Sequence, residues 1–384
     1  MSAWLSLLIG AVLGAFVSLL AAVYLQDRWK ESSDRWRRLR RSRAITKSWV
    51  DEDGPITIAG NPTSVYLVEG DGRLVIEPKN IRIDIRSTRA ELPVVVSAAR
   101  EKLVRQLAAS VRSDKHMVSS WNSTNMVALT RYRITRTAER EDSALHLDAC
   151  LSDYATFAAT VLRLDEEVNI SSSHDERAST TLRRAFFPTT AAIVESIRRP
   201  LPFLANGVGI ALLAFTDDDK VLLAHRRLES RARPGECDVT VIEGIDADFD
   251  SVGSGRLDIY SAALRGCREE LGVDISITDV SVLAFGVDMA YYQWNFLGMV
   301  DIKLTADEVI AHHALHAKDR WEGRLESVKL DPVSVFERMH QEKIWDCGLV
   351  TAYLALSKKC GAGSTRAAAE KVFGSPNRKA PWRR

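Results

Sequence analysis

The stretch ALRGCREELGVD (residues 263–274) carries Arg265, the adjacent pair Glu269 and Glu270, and a closing glycine, Gly272, at helical spacing. Acids at i, i+3 and i+4 share one helix face and can converge on a hard cation that also binds phosphate oxygens. The first of those three positions is held by Gly266. A glycine inside a helix costs about 1 kcal/mol relative to alanine, so its presence needs a reason. Three readings are open. Gly266 lets a ligand or another chain approach the helix backbone; another acid such as Glu243 or Glu322 completes the site; or the helix is purely structural.

Working outward, NGVGIALLAFTDDDKVLLAHRR (206–227) is a pair of apolar strands around an Asp-rich turn. ECDVTVIEGI supplies further strand, DADFDSVGSGRL a loop rich in Gly and Asp, and LDIYSAALRGCREELG a helix closed by Gly272. SVLAFGVDMAYYQWNFLGMVDIKL returns to sheet. Before Pro200, alternating short strands and a helix over VVVSAAREKLVRQLAASV predict a mixed α+β region, in which His146, Asp148 and Asp153 are surface or capping groups.

Strand, loop and helix with these residues resemble the Nudix family, whose signature is GX5EX7REUXEEXGU with U a bulky apolar residue. The resemblance covers roughly residues 203–357. Glu269 and Glu270 match the paired acids, Arg265 the arginine, and Gly272 with Val273 the closing pair. Gly244 serves as the opening glycine and Asp250 stands where the next glutamate belongs, but the spacer from Asp250 to Arg265 is seven residues too long; Asp258 is a poorer substitute, one residue too short. The resemblance implies an α+β, Nudix-like α/β/α sandwich. It also implies a metal role for Glu269 and Glu270 and a nucleotide pocket reached by Arg226, Arg227, Arg265 and Gly266. Tyr292 and Trp294, in the aromatic run, are candidates for a base-stacking wall. His312, His313 and His316 are read as a polar surface.

The N-terminus carries 23 uncharged residues from Ala3 to Leu25, and about 20 apolar residues cross a hydrocarbon core as a helix. Residues 28–43 then hold eight basic side chains against two acidic ones, an excess that stays cytoplasmic. Ser6, Gly10, Gly14, Ser18 and Ala22 recur every four residues, a small-residue ridge suited to self-association. The expected organisation is a single transmembrane helix (1–25), a basic juxtamembrane linker (26–48), an α+β connector (49–200), a degenerate Nudix-like domain (201–357) and a loosely ordered basic tail (358–384). With 384 residues, 46% hydrophobic content and a net charge of +1, the chain is ordinary globular protein and no globally polybasic nucleic-acid binder. Five separated cysteines without a CxxC pair argue against a disulfide framework and a zinc site.

This order of parts resembles the transmembrane-Nudix effectors of bacterial cyclic-oligonucleotide-based antiphage signalling (CBASS). That resemblance implies a single-pass protein of the bacterial inner membrane with cytoplasmic soluble domains. A cyclic nucleotide binds, copies assemble, and the membrane is disrupted, leading to cell death. Its partners are then the cyclic nucleotide, membrane lipid and further copies of itself, with no DNA or RNA. The missing acid favours binding without turnover and without a required cofactor. The alternatives are a membrane-tethered, Mg2+-dependent Nudix hydrolase of nucleoside diphosphate derivatives, and a non-enzymatic adaptor that binds protein.

Overall fold

A computed structural model describes residues 54–110, 125–137, 142–169, 179–228, 230, 233–253, 255–320 and 323–374. The expected membrane helix with Ser6, Gly10, Gly14, Ser18 and Ala22, and the basic linker after it, lie outside the described residues.

The chain runs through β1 (Val65–Glu69), β2 (Ile81–Arg89), α1 (Val94–Ser110), β3 (Met126–Arg136), β4 (Ser143–Ser152), α2 (Tyr154–Thr160) and α3 (Thr190–Arg198). It continues with β5 (Gly209–Thr216), β6 (Lys220–Arg226), β7 (Glu236–Asp238), β8 (Val241–Gly244), β9 (Arg256–Leu257) and α4 (Ile259–Gly266). The last part holds β10 (Val280–Asp288), β11 (Gln293–Ile302), α5 (Ala306–His316), β12 (Gly323–Lys329), α6 (Pro332–His340), β13 (Lys343–Ile344), α7 (Asp346–Cys360) and α8 (Ala362–Phe373).

A nine-stranded mixed sheet runs in the order β13-β7-β6-β5-β11-β10-β1, with β8 also pairing β5 and β12 also pairing β6. A four-stranded sheet has the order β9-β2-β4-β3. Strand β5 is buried at every residue, which is why it reads GIALLAFT without polar alternation. Its side chains still alternate between two cores. Ile210, Leu212 and Ala214 join Ala262 and Ala263 of α4, Val309 of α5, and Leu145 and Leu147 of β4. Ala211, Leu213 and Phe215 join Phe336 and Met339 of α6, Val350 and Leu354 of α7, and Ala369 and Val372 of α8. Each fully buried Leu, Ile or Phe contributes about 1.5–3 kcal/mol, so this two-sided strand holds the layers together.

The expected fold class is corrected by this architecture. The described residues form a mixed α/β assembly of several sheets rather than one α/β/α sandwich beside a separate connector, and no described helix is long and apolar enough to cross a membrane. The expected division near Pro200 is no boundary either: β1 pairs β10 inside the large sheet, β9 pairs β2, and the described residues from Pro55 onward cluster as one compact unit. The tail from residue 358 is helical as far as Phe373, because Ala368, Ala369 and Val372 give α8 an apolar face that is buried. The helix expected over residues 94–111 is present as α1, and Asp153 caps α2 by accepting from the Thr156 amide.

In α7, Gly348 lies against the carboxylate of Asp238, so that an added Cβ would meet Oδ1 and come within 3.4 Å of Cγ. Asp238 is fully buried, paired with Arg233, whose guanidinium carbon lies 3.8 Å from the Trp345 ring centroid. Gly348→Ala is expected to lower stability by about 1–3 kcal/mol through overpacking. That loss exceeds the roughly 1 kcal/mol that alanine gains inside a helix. Urea unfolding measures the balance, and an unchanged or raised midpoint would show that Asp238 moves aside freely.

Candidate functional site

Helix α4 begins at Asp258, whose side chain accepts from the Tyr260 amide, so Asp258 is a cap and does not substitute for the upstream acid of the signature. After Gly266 the helix widens into one π turn over Cys267–Leu271 and ends where Gly272 turns left-handed at φ 71°. The wider turn rotates Glu269 and Glu270 away from regular α-helical register with the preceding turn.

Arg265 organises the site. Its Nε and Nη2 donate to the two carboxylate oxygens of Asp250 at 3.1 and 2.8 Å, and Nη2 also donates to the Gly244 carbonyl at 2.7 Å. Nη1 lies 2.8 Å from Glu243 Oε1 and 3.8 Å from Glu269 Oε2. The bidentate pairing with Asp250 forms despite the seven extra residues between them. They are absorbed in a loop that includes β9, which pairs with β2, while the Asp258 amide returns to the Asp250 carbonyl at 3.0 Å. Asp250 is 1% exposed, so removing its partner would strand a buried charge.

Gly266 sits under strand β8. A Cβ there would lie 2.8 Å from Glu243 Cβ, 2.8 Å from Val241 Cγ1 and 3.2 Å from Glu243 Cγ. The close approach at this glycine is therefore made by the protein's own strand, and an acid at position 266 has no room. It is Glu243 that comes alongside Arg265 and Glu269. Burial outweighs the Arg265 guanidinium and pushes the Glu243 carboxyl up to about 7.

The remaining box acids are engaged by the protein. Glu270 Oε1 accepts from the Ile242 amide at 2.9 Å, and its carbonyl accepts from His313 Nδ1 at 2.6 Å. Glu269 pairs with Lys318 Nζ at 2.9 Å, and its carbonyl accepts from the Asp319 amide at 3.0 Å. The carboxylates of Glu243, Glu269 and Glu270 do not bring three donor atoms within 4.8 Å of one another. The donor chemistry suits magnesium, but this arrangement, with Arg265 among the acids and Lys318 on Glu269, does not fit it. Glu322, the other acid considered, lies outside the described residues.

The predicted nucleotide contacts divide. Arg265 and Gly266 are interior elements of the clamp and not an open pocket wall. Tyr292 and Trp294 are each 0% exposed, correcting their assignment to a stacking surface. The Tyr292 hydroxyl donates to the Ser196 carbonyl at 2.7 Å and accepts from the Leu201 amide at 3.0 Å, bracing the segment after α3. The Trp294 ring packs 5.6 Å from both Tyr132 and Phe285. Arg226, half-buried at the end of β6, and the exposed Arg227 after it remain at the surface. The histidines lie on α5, where His312 and His316 pack ring to ring at 5.4 Å. A second polar cluster escaped the sequence reading: His225, Cys237, Glu326, Arg338 and Glu342 meet beside β6. No local motif announces it, since His225 and Glu342 are 117 residues apart.

Two outcomes follow. Gly266→Ala should lose about 1–3 kcal/mol in urea unfolding, because overpacking against β8 exceeds the propensity gain; a stabilised variant would mean that the strand yields. Glu243 binds its proton more tightly folded than unfolded, so its contribution to stability is full below about 4.5 and is lost as pH rises through about 7. Between about pH 5 and about pH 8, with chelator present, wild type should therefore lose more stability than Glu243→Gln by on the order of 1–3 kcal/mol. Parallel pH curves for the two proteins would remove the assignment.

No known protein family's profile matches the chain, and no curated protein matches it. Among solved structures, the protein DR0079 from Deinococcus radiodurans is similar with a TM-score of 0.28 and 15% identity, over 48% of this chain and 97% of that one.

Proposed function

We propose that the C-terminal half of the chain is a ligand-binding module derived from a Nudix-type box, which takes a nucleotide without hydrolysing it. Within the CBASS resemblance the ligand is a cyclic nucleotide. Its binding drives assembly of copies in an antiviral effector of the bacterial inner membrane. One observation carries the non-catalytic reading. Strand β8 fills the space beside Gly266 where an acid would stand, while Arg265 and Lys318 take the carboxylates of Glu243, Asp250 and Glu269. A hydrolase of this type places divalent cations among such acids to polarise the phosphate. Here the Arg265 guanidinium, and at Glu269 the exposed Lys318 ammonium, neutralise them, an arrangement suited to holding a shape rather than to turnover. Arg227, with Arg226 behind it, offers guanidinium chemistry suited to phosphate.

Coupling to assembly needs only a ligand that binds the assembled state better than the separate one. The purified full-length chain, incubated with labelled cyclic dinucleotides and trinucleotides and with linear dinucleotides plus Mg2+ or Mn2+, is expected to retain a cyclic species unchanged. Replacing Arg226 and Arg227 together by Gln should weaken that retention at least tenfold, about 1.4 kcal/mol. Product in excess of the protein would overturn the reading in favour of the tethered hydrolase; absence of any retained nucleotide would favour the protein-binding adaptor.

A further inference from the structure

We propose that His225, Cys237 and Glu342 form a binding site for a thiophilic divalent cation of zinc's class, separate from the box acids and independent of the nucleotide reading. Thiolate, imidazole and carboxylate are the donor types that such ions select, and three protein donors leave one position open. The described residues bring one donor atom from each of these side chains within 4.8 Å of the others.

Topology explains the convergence. His225 on β6 faces Cys237 on β7 as a cross-strand pair, and Cys237 in turn is opposite Ile344 of β13. Glu342 enters from the turn joining α6 to β13. His225 is 6% exposed and Cys237 is 0% exposed, while the Glu342 side chain keeps 30% of its surface and supplies the side open to solvent.

The surrounding groups complete a recognisable pattern. His225 Nδ1 lies 2.7 Å from Glu342 Oε2. The other ring nitrogen, Nε2, is 2.9 Å from Glu326 Oε2, yet is buried without the geometry of a hydrogen bond. A metal-bound histidine characteristically donates its second N–H to a carboxylate, which fixes tautomer and ring orientation. Glu326 is the carboxylate beside that nitrogen, and it would accept the N–H if metal binding turned the ring toward it. Arg338 grips Glu326 through both oxygens at 2.6 and 2.8 Å, but Glu342 only through Oε1 at 2.6 Å, leaving Oε2 turned to the histidine. Arg338 therefore positions both carboxylates from behind.

Without a cation, burial pushes the Cys237 thiol up to about 12, so it is a protonated, inert side chain. As a cation enters, the proton leaves Sγ for solvent and an S–metal bond replaces the S–H bond, with no change of oxidation state. The competing arrangement has no ion. In it the imidazole lies between Glu342 Oε2 and Glu326 Oε2, with Arg338 against both carboxylates.

Cobalt(II) separates the two, because thiolate ligation produces an intense near-ultraviolet charge-transfer band that oxygen ligands alone do not give. The chelator-treated full-length chain is titrated with Co2+ and then with Zn2+ in competition. The expected result is one equivalent of cobalt, a thiolate band, and its loss on adding zinc. Cys237→Ser should abolish the band. Glu342→Gln, at a partly exposed position that leaves the core intact, should weaken cobalt affinity at least tenfold. No thiolate band in wild type, or an equal band and affinity in the variants, would overturn the proposal. The other four cysteines serve as internal controls, since a band surviving Cys237→Ser would belong to them.

Discussion

The architecture around the box depends on one guanidinium. Arg265 compensates Asp250, almost wholly buried, and Glu243, held close beside it, while tying down the Gly244 carbonyl. Two acids brought this far out of water would each cost several kcal/mol if unpaired. Arginine meets both because its planar fork can address one carboxylate bidentately and still present a third nitrogen; a lysine is a single point charge and could not. The clamp thereby joins α4, strand β8 and the start of the 246–257 loop. Those are the elements that any ligand-binding role of this region would need to hold rigid.

The same clamp explains why the glycine is at position 266 rather than elsewhere in the helix. Arg265 reaches back to β8 only if the helix lies against that strand, and the residue next to it must then be flat enough to let Val241 and Glu243 in. The roughly 1 kcal/mol that glycine costs a helix is smaller than the penalty of a displaced strand and a stranded buried charge. Gly266 is thus a consequence of packing. Whatever chemistry the box has is set by Glu243, Glu269 and Glu270 and by the basic groups interleaved with them.

Much of the frame around this point was legible. The apolar run of β5, the hairpin with β6, the helix over 94–110 and the capping role of Asp153 follow from period and cap chemistry. Asp250 was legible as a stand-in for the glutamate of the signature, but its spacing from Arg265 counted against it and their pairing was not legible, because a sequence does not show that an inserted loop closes on itself. Tyr292 and Trp294 misled for a different reason. In a sheet covered on both faces, aromatic alternation separates one core from the other and not core from pocket. The boundary expected at Pro200 failed because β1 pairs with β10 across more than 200 residues, a contact with no local signature.

Long-range pairing also decides what the acidic residues of this chain do. At the box, the cations that meet the carboxylates are side chains two to a site, Arg265 and Lys318, and both oxygens of Asp250 are consumed by one of them. Beside β6, by contrast, Arg338 takes one oxygen of Glu342 and leaves the other facing an imidazole and a thiol. The two places use the same acidic and basic residue types and differ in what is left over. Fully paired carboxylates favour a rigid scaffold, since any incoming ion must first break a buried charge-assisted bond. A carboxylate held from behind, with its other oxygen bonded only to an imidazole beside a thiol, is already oriented toward soft donors, so an entering cation exchanges one hydrogen bond between its own ligands. By that criterion an entering cation would displace fewer ion pairs beside β6 than in the helix whose sequence first called for one.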